Sequence, residues 1–85
     1  METLAEALRI VGVDKEDLNA LKKGDARKLL VGGWLHAHYP LTRKWIAGRL
    51  ALGHPSRVGA AIKAYRSPPK EHRKMRAVLE SIIRL

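Results

Sequence analysis

The chain of 85 residues is 46% hydrophobic and 29% charged, a composition typical of one small globular domain rather than of a disordered segment. It contains no cysteine, which excludes disulfides, zinc–thiolate sites and cysteine nucleophiles. No apolar run approaches the roughly 20 residues that a membrane span needs, and the acidic start lacks a signal-peptide pattern, so we expect a cytoplasmic protein.

The net charge of +9 is distributed unevenly along the chain. Residues 1–21 contain five acidic and two basic residues, whereas residues 22–85 contain three acidic and fifteen basic residues, so the net charge changes from −3 to +12. A strongly basic surface attracts the phosphate backbone of nucleic acids. An Arg-rich surface can also reflect genome composition alone, so charge by itself leaves the partner open.

Two short helices are predicted in the acidic part of the chain. Thr3 is a candidate N-cap for a helix over residues 4–11, whose apolar residues share one face, and Gly12 is expected to end it. Asp14 is expected to cap a second short helix over residues 15–21.

A longer helix is predicted over residues 26–39, with Asp25 as its N-cap and Pro40 after its end. Its predicted apolar stripe consists of Leu29, Leu30, Trp34 and Ala37. Gly32 and Gly33 each cost up to about 1 kcal/mol relative to alanine inside a helix. We therefore expect this pair to permit close packing of a neighbouring helix.

A helix-turn-helix unit is predicted over residues 42–66. Thr42 caps its first helix, 43–52, the turn lies at residues 53–54, and Pro55 occupies the first turn of the second helix. The residues predicted to face inward are Trp45, Ile46, Ala47 and Leu50 in the first helix and Val58, Ala61, Ile62 and Tyr65 in the second.

A last helix is predicted over residues 70–85. Its expected buried residues are Met75, Val78, Leu79, Ile82 and Leu85, and its cations are Lys70, Arg73, Lys74 and Arg76. These cations suit a phosphate-contacting face, a solvated face or a membrane-surface helix, and the lack of Trp and Phe disfavours the last. Together the elements predict one all-α domain over residues 1–85, a compact bundle of about five or six short helices.

The outward face of the second helix in the pair has small side chains in its middle and basic side chains at its ends. A helix that enters a DNA major groove needs low bulk beside the base edges and cations beside the phosphates. With the cations of the first helix and the turn histidine, the candidate DNA-binding residues are Arg43, Lys44, His54, Ser56, Arg57, Gly59, Ala60, Lys63 and Arg66. The alternative is an ordinary helical hairpin whose cations are solvated.

Arg57 is the main candidate for a base contact. Val58 must face the core, so Arg57 is turned about 100° away from it, and its guanidinium is expected beyond the helix start, where it can pair with guanine O6 and N7. The nearest acidic residue before it in sequence is Asp25, and the nearest after it is Glu71. His54 is expected either to approach a phosphate or to be a solvated turn residue.

Three stretches resemble the C-terminal region of REP-associated tyrosine transposases. They read Leu-Lys-Lys-Gly-Asp-Ala-Arg-Lys at residues 21–28, Leu-Thr-Arg-Lys-Trp-Ile-Ala-Gly-Arg-Leu at 41–50 and Leu-Gly-His-Pro-Ser-Arg-Val at 52–58. The pattern Ile46-Ala47-x-x-Leu50 followed by Val58-x-x-Ala61-Ile62-Lys63 is also similar to the helix-turn-helix in the C-terminal domain of bacterial chromosomal replication initiators. Both resemblances imply DNA binding through a helix-turn-helix.

The chain departs from both families in ways that limit the inference. At residues 53–57, Gly-His-Pro-Ser-Arg stands where the initiators carry Arg-Asp-His-Thr-Thr, so the resemblance implies their docking mode but not their base specificity. The catalytic domain of the transposases, with its His-hydrophobic-His pair and nucleophilic Tyr, is not contained in these 85 residues.

A catalytic or metal-binding role is not expected. His36 and His38 imitate the His-x-His signature, but on a helix two such rings point about 160° apart. No phosphate-binding loop, nucleophile elbow or paired carboxylates occur in the sequence. We predict that the protein is not an enzyme and uses no cofactor, metal or small-molecule substrate.

The predicted function is binding of double-stranded DNA, as the DNA-recognition or accessory part of a transposase-like protein or as a stand-alone relic of one. The rival hypothesis is a helical interaction module that docks an acidic protein partner. RNA binding is a third hypothesis. Selectivity among duplex sequences would favour the first, and a preference for structured RNA would favour the third.

Overall fold

The structure is a computed structural model that describes residues 2–22 and 24–82. This part of the chain is all-α, as predicted, and contains five α-helices, two single 3₁₀ turns and no strand. The elements are α1 (Glu2–Ile10), the 3₁₀ turn Lys15–Asp17, α2 (Ala26–His38), α3 (Arg43–Arg49), α4 (Arg57–Arg66), the 3₁₀ turn Lys70–His72 and α5 (Arg73–Ile82). Among these helices, none combines the length and the apolar character needed to cross a membrane.

The first helix, α1, ends close to the predicted place but begins earlier. Gly12 has a φ of 76°, and the N–H of Val13 donates to the carbonyl oxygen of Leu8 at 2.9 Å, which is the bonding of a glycine-based helix end. Because α1 begins at Glu2, Thr3 lies inside the helix, and its prediction as the N-cap is wrong.

The helix predicted over residues 15–21 is reduced to one 3₁₀ turn. The carbonyl oxygen of Leu18 accepts a hydrogen bond from Nζ of Lys28 at 2.9 Å. In an α-helix the same oxygen would accept from the N–H four residues later, on Lys22. The tertiary contact therefore occupies a carbonyl oxygen in the last turn of the predicted helix. Asp14 contributes its backbone carbonyl, which accepts from the N–H of Asp17 at 3.0 Å.

Two predicted N-caps are confirmed in the helices that carry the candidate site and its support. The carboxylate of Asp25 accepts from the N–H of Arg27 at 2.9 Å at the start of α2. Oγ1 of Thr42 accepts from the N–H of Trp45 at 3.0 Å at the start of α3. Both bonds satisfy an N–H that has no partner within its own helix.

The central helix of the bundle is α2. Its buried residues are Lys28, Leu30, Val31, Gly32, Gly33, Trp34 and Leu35. Ala37 is exposed and Leu29 is only half-buried, so the apolar stripe predicted through them is wrong in part. The buried surface of α2 is broader than one stripe because α1, α3, α4 and α5 all contact it.

The Gly32–Gly33 pair allows α4 to pack closely against α2, as predicted. A Cβ on Gly33 would overlap the carbonyl oxygen of Ala61 and the Cβ of Tyr65. A Cβ on Gly32 would lie 3.2 Å from the Cβ of Ala61 and 3.3 Å from Cδ1 of Leu50. Residues without a side chain therefore determine how near α4 lies to the core.

Lys28 is a fully buried cation, which its place in the sequence does not indicate. Its Nζ donates to the carbonyl oxygens of Leu18 and Ala51, both at 2.9 Å. Burial lowers the pKa of Lys28, and the carboxylate of Asp25 raises it in part. These bonds tie α2 to the connection before it and to the end of α3, so Lys28 positions α3 and is not available to a partner.

The helix α3 is shorter than predicted, because it ends at Arg49 rather than near Leu52. Ala51 has a φ of 53°, in the left-handed region, and the N–H of Leu52 donates to the carbonyl oxygen of Ala47 at 2.9 Å. Residues 50–56 therefore connect α3 to α4, and the predicted tight turn is a longer connection.

The last helix, α5, follows a 3₁₀ turn and buries a narrower face than predicted. Leu79 is fully buried, whereas Val78 is 45% exposed, contrary to the prediction. Adjacent helical residues differ by about 100° in direction, and the narrow buried face of α5 includes Leu79 but not Val78. The predictions for the side chain of Ile82 and for residues 83–85 lie outside the described part of the chain.

Candidate nucleic-acid interface

One side of α4 faces the core, as helical spacing predicted. Val58 and Ala61 are fully buried, Tyr65 is 8% exposed, and Ile62 is half-buried. The contact between α4 and α2 is the most extensive contact between helices in the described part of the chain. The core therefore fixes the position of α4 and leaves its other side to solvent.

The opposite side, called the α4 face here, consists of Ser56, Arg57, Gly59, Ala60, Lys63 and Arg66. All of these residues are exposed except Gly59, which is half-buried. The guanidinium of Arg43 comes alongside Gly59, since its Nη1 lies 4.0 Å from the position of a Cβ there. The structure thus brings a cation of α3 next to the small centre of the α4 face.

In the described part of the chain, the cations of this region form no ion pair with an acidic residue. Arg43 and Lys44 are both exposed in the first turn of α3. Among the side chains that the structure describes, the ion pairs are Arg9–Glu6, Arg27–Asp25 and His38–Glu80. No cation of the α4 face, and neither Arg43 nor Lys44, belongs to these pairs. Their charges are therefore available to an anionic partner.

Arg57 lies in a different place from the one expected. Its Nη1 is 3.5 Å from the position of a Cβ on Gly24, so the guanidinium lies beside the connection before α2. The carboxylate of the neighbouring Asp25 is engaged by Arg27 through its N–H at 2.9 Å and its Nε at 3.4 Å. Burial acts to raise the pKa of Asp25, and the bonds from Arg27 act to lower it. The bonds outweigh burial, so the pKa lies below its ordinary value.

His54 and Ser56 are bonded to each other at the start of α4. Nδ1 of His54 accepts the backbone N–H of Ser56 at 3.0 Å, and Oγ of Ser56 lies 2.9 Å from the same nitrogen. Ser56 precedes α4 with helical dihedrals and makes no side-chain cap bond of its own. His54 is therefore a structured part of the helix start rather than a freely solvated turn residue.

Trp45 was predicted to face inward, but it is only half-buried. The guanidinium carbon of Arg49 lies over its ring, 5.5 Å from the ring centroid. Ile46, Ala47 and Leu50 supply the buried face of this short helix, and Trp45 lies at its margin. A half-buried aromatic ring covered by arginine is a stable arrangement at a surface.

His38 belongs to a cluster that joins three helices and was not predicted. Its Nε2 lies 3.0 Å from the hydroxyl of Tyr65 and 3.1 Å from Oε2 of Glu80, and the hydroxyl donates to Glu80. Burial and the bond to Glu80 raise the pKa of Tyr65 to about 12. The cluster fastens α5 to α2 and α4. No sequence signal marks it, because its members come from distant parts of the chain.

The arrangement contains no convergent set of metal ligands among the described residues, since no three His, Asp or Glu side chains are grouped closely enough to share an ion. Comparison with protein-family models finds no match. Comparisons with curated proteins and with solved structures find none either. The resemblances to transposases and replication initiators therefore remain predictions based on the residues quoted above.

Proposed function

We propose that this protein binds double-stranded DNA by placing the α4 face in a major groove. One observation carries the proposal: the exposed side of a helix fixed by the core has small residues at its centre, and the cations around them pair with none of the described acidic side chains. A major groove about 12 Å wide admits an α-helix about 10–12 Å in diameter. Gly59 and Ala60 let the helix backbone approach the bases, which larger side chains would prevent.

The cations divide between two roles in this proposal. Arg43, Lys44, Lys63 and Arg66 contact phosphates on both sides of the groove, and they supply affinity that does not depend on base sequence. Arg57, Ser56 and His54 lie at the start of α4, the end of a recognition helix that reaches base edges. When DNA binds, the guanidinium of Arg57 moves away from Gly24 and pairs with a guanine.

The proposed biological context follows from the resemblance rather than from the geometry. The chain serves as the DNA-recognition or accessory part of a transposase-like protein, and it contributes binding rather than catalysis. The proposed location is the cytoplasm.

A salt titration with matched variants tests the phosphate contacts. Four phosphate contacts give a log–log slope of affinity against salt of about −3.6. Lys63→Ala should weaken binding and make the slope shallower by about 1. Arg9→Ala removes the same charge from α1, where the side chain is exposed beside Glu6, and should change neither quantity. Equal effects of the two variants would contradict the assignment of the α4 face.

Selection of bound sequences from a random duplex pool tests whether binding is selective. Arg57→Ala should cost about 1–3 kcal/mol on the selected site and relax the preference at one base pair, with a much smaller loss on other duplexes. An equal loss of affinity on all duplexes would show that Arg57 contacts a phosphate rather than a base. Tighter binding to acidic proteins or to structured RNA than to any duplex would refute the proposed function.

A further inference from the structure

The bonds between His54 and Ser56 determine which ring nitrogen of His54 carries a hydrogen. The backbone N–H of Ser56 points at Nδ1 from 3.0 Å, and a backbone N–H can only donate. Nδ1 must therefore present a lone pair, because a hydrogen on it would meet the hydrogen of the N–H. In this arrangement Nδ1 is the accepting nitrogen of the ring, and the ring hydrogen lies on Nε2.

The state of His54 in turn determines the direction of the Ser56 hydroxyl. Oγ lies 2.9 Å from the same Nδ1, whose single lone pair is shared between the N–H and the hydroxyl hydrogen, because an oxygen lone pair facing Nδ1 at this distance would be repelled. A serine hydroxyl has one hydrogen and two acceptor positions. With its hydrogen directed at His54, Oγ can only accept hydrogen bonds from any further partner.

Ser56 also points in the direction in which the proposed partner lies. Its dihedrals, φ −62° and ψ −23°, continue the helical geometry of α4 backwards by one residue. Residues two positions apart in a helix differ by about 200° in direction. Ser56 therefore lies almost opposite Val58, which is fully buried. The side chain is exposed and stands on the outward side of the helix start.

We propose that Ser56, with its hydroxyl hydrogen held by His54, selects an adenine or a cytosine at one position of the DNA site. In the major groove only these two bases present amino hydrogens, adenine at N6 and cytosine at N4, whereas guanine and thymine present acceptors. An Oγ that can only accept forms a hydrogen bond with the amino group of adenine or cytosine. It forms none with guanine or thymine, because their oxygens are also acceptors. This inference rests on the proposed function and names the determinant of its specificity.

The direct test uses the wild-type protein and a base analogue, so it does not depend on the folding of a variant. The selected duplex is compared with one in which nebularine replaces the adenine, or 2-pyrimidinone replaces the cytosine, so that only the amino group is lost. The wild type should lose about three- to tenfold in affinity, the size of one hydrogen bond. Ser56→Ala should bind both duplexes equally, because the accepting oxygen is gone.

Two variants of His54 test the origin of the preference. His54→Ala frees the hydroxyl to donate or accept, so the preference for an amino base should fall below about twofold while duplex binding persists. His54→Asn places a carbonyl oxygen two residues before Ser56, where asparagine commonly accepts from the backbone, and should retain the preference. Helical circular dichroism establishes that each variant is folded.

The outcomes separate this inference from the proposed function. If the wild type binds no duplex, both are overturned. If binding shows the Lys63 and salt dependence described above but Ser56→Ala selects the same bases, only this inference is overturned. A Ser56-dependent position occupied by guanine or thymine, or an unchanged preference in folded His54→Ala, would likewise overturn it.

Discussion

Replacement of Gly33 by alanine tests the close contact between α2 and α4 that positions the proposed interface. The new Cβ would overlap the carbonyl oxygen of Ala61 and the Cβ of Tyr65. A backbone carbonyl cannot rotate away as the end of a flexible side chain can, so the two helices must separate. The change adds a single methyl group and introduces no charge or polar atom.

The magnitude follows from two opposing contributions. Overpacking of a well-filled core costs about 1–3 kcal/mol, and contact with backbone atoms places this position at or above the upper end of that range. Alanine in a helix returns up to about 1 kcal/mol relative to glycine. We therefore expect a net loss of about 2 kcal/mol in the free energy of unfolding, which lowers the Tm by about 8–16 °C in a domain of this size.

Two other glycines provide matched controls for the same substitution. A Cβ on Gly48 in α3 would have no atom within 4 Å, so Gly48→Ala should raise stability by up to about 1 kcal/mol. A Cβ on Gly32 would meet the Cβ of Ala61 at 3.2 Å and Cδ1 of Leu50 at 3.3 Å. Its neighbours are side-chain atoms, so Gly32→Ala should fall between the other two variants.

Thermal and urea unfolding, followed by circular dichroism, measure the whole series under one set of conditions. The expected order of stability is Gly48→Ala, then wild type, then Gly32→Ala, then Gly33→Ala. A Gly33→Ala protein as stable as the wild type would refute the account of the contact between α2 and α4. A destabilised Gly48→Ala protein would contradict the stabilisation that alanine is expected to give relative to glycine in a helix.

Three further predictions concern groups whose role depends on tertiary contacts. Because the pKa of Tyr65 is raised to about 12, the folded state holds the phenol proton more tightly than the unfolded state, so stability should be lost as pH rises from about 10 to 12. Two pKa units correspond to at most about 3 kcal/mol. Urea unfolding at a series of pH values should show this extra loss of stability in the wild type but not in Tyr65→Phe. Parallel curves of stability against pH for the two proteins would contradict the prediction. Lys28→Met should lower the free energy of unfolding by about 1–3 kcal/mol, because the carbonyls of Leu18 and Ala51 lose their donor, and an equally stable variant would contradict this. Ala51→Gly should leave stability unchanged or raise it by up to about 1 kcal/mol, since glycine adopts a φ of 53° without strain, whereas a loss would show that the alanine is not strained there.

Local interactions explain the features that the sequence predicted well. The caps at Asp25 and Thr42 are bonds between residues two or three positions apart, and Gly12 ends α1 through its own backbone dihedrals. The two faces of α4 follow from helical spacing and hydrophobicity, so Val58 and Ala61 could be assigned to the core. The all-α class follows from the same periodicity.

The features that the sequence did not predict depend on contacts between distant residues. Lys28 looks like a surface cation, yet its Nζ reaches carbonyls 10 and 23 residues away in sequence. The same contact occupies a carbonyl oxygen in the last turn of the predicted second helix. Val78 and Trp45 fit the apolar periodicity, but their exposure depends on how far the neighbouring helices extend over them.

The composition of the candidate site was therefore determined by the sequence alone, because charge, side-chain size and helical phase are local properties. Only the tertiary structure decided its geometry. It placed Arg43 beside Gly59 and turned Arg57 toward Gly24, since both positions depend on how α2, α3 and α4 pack. It also directed the Ser56 hydroxyl at His54, because hydrogen-bond direction depends on atomic positions that residue spacing does not specify.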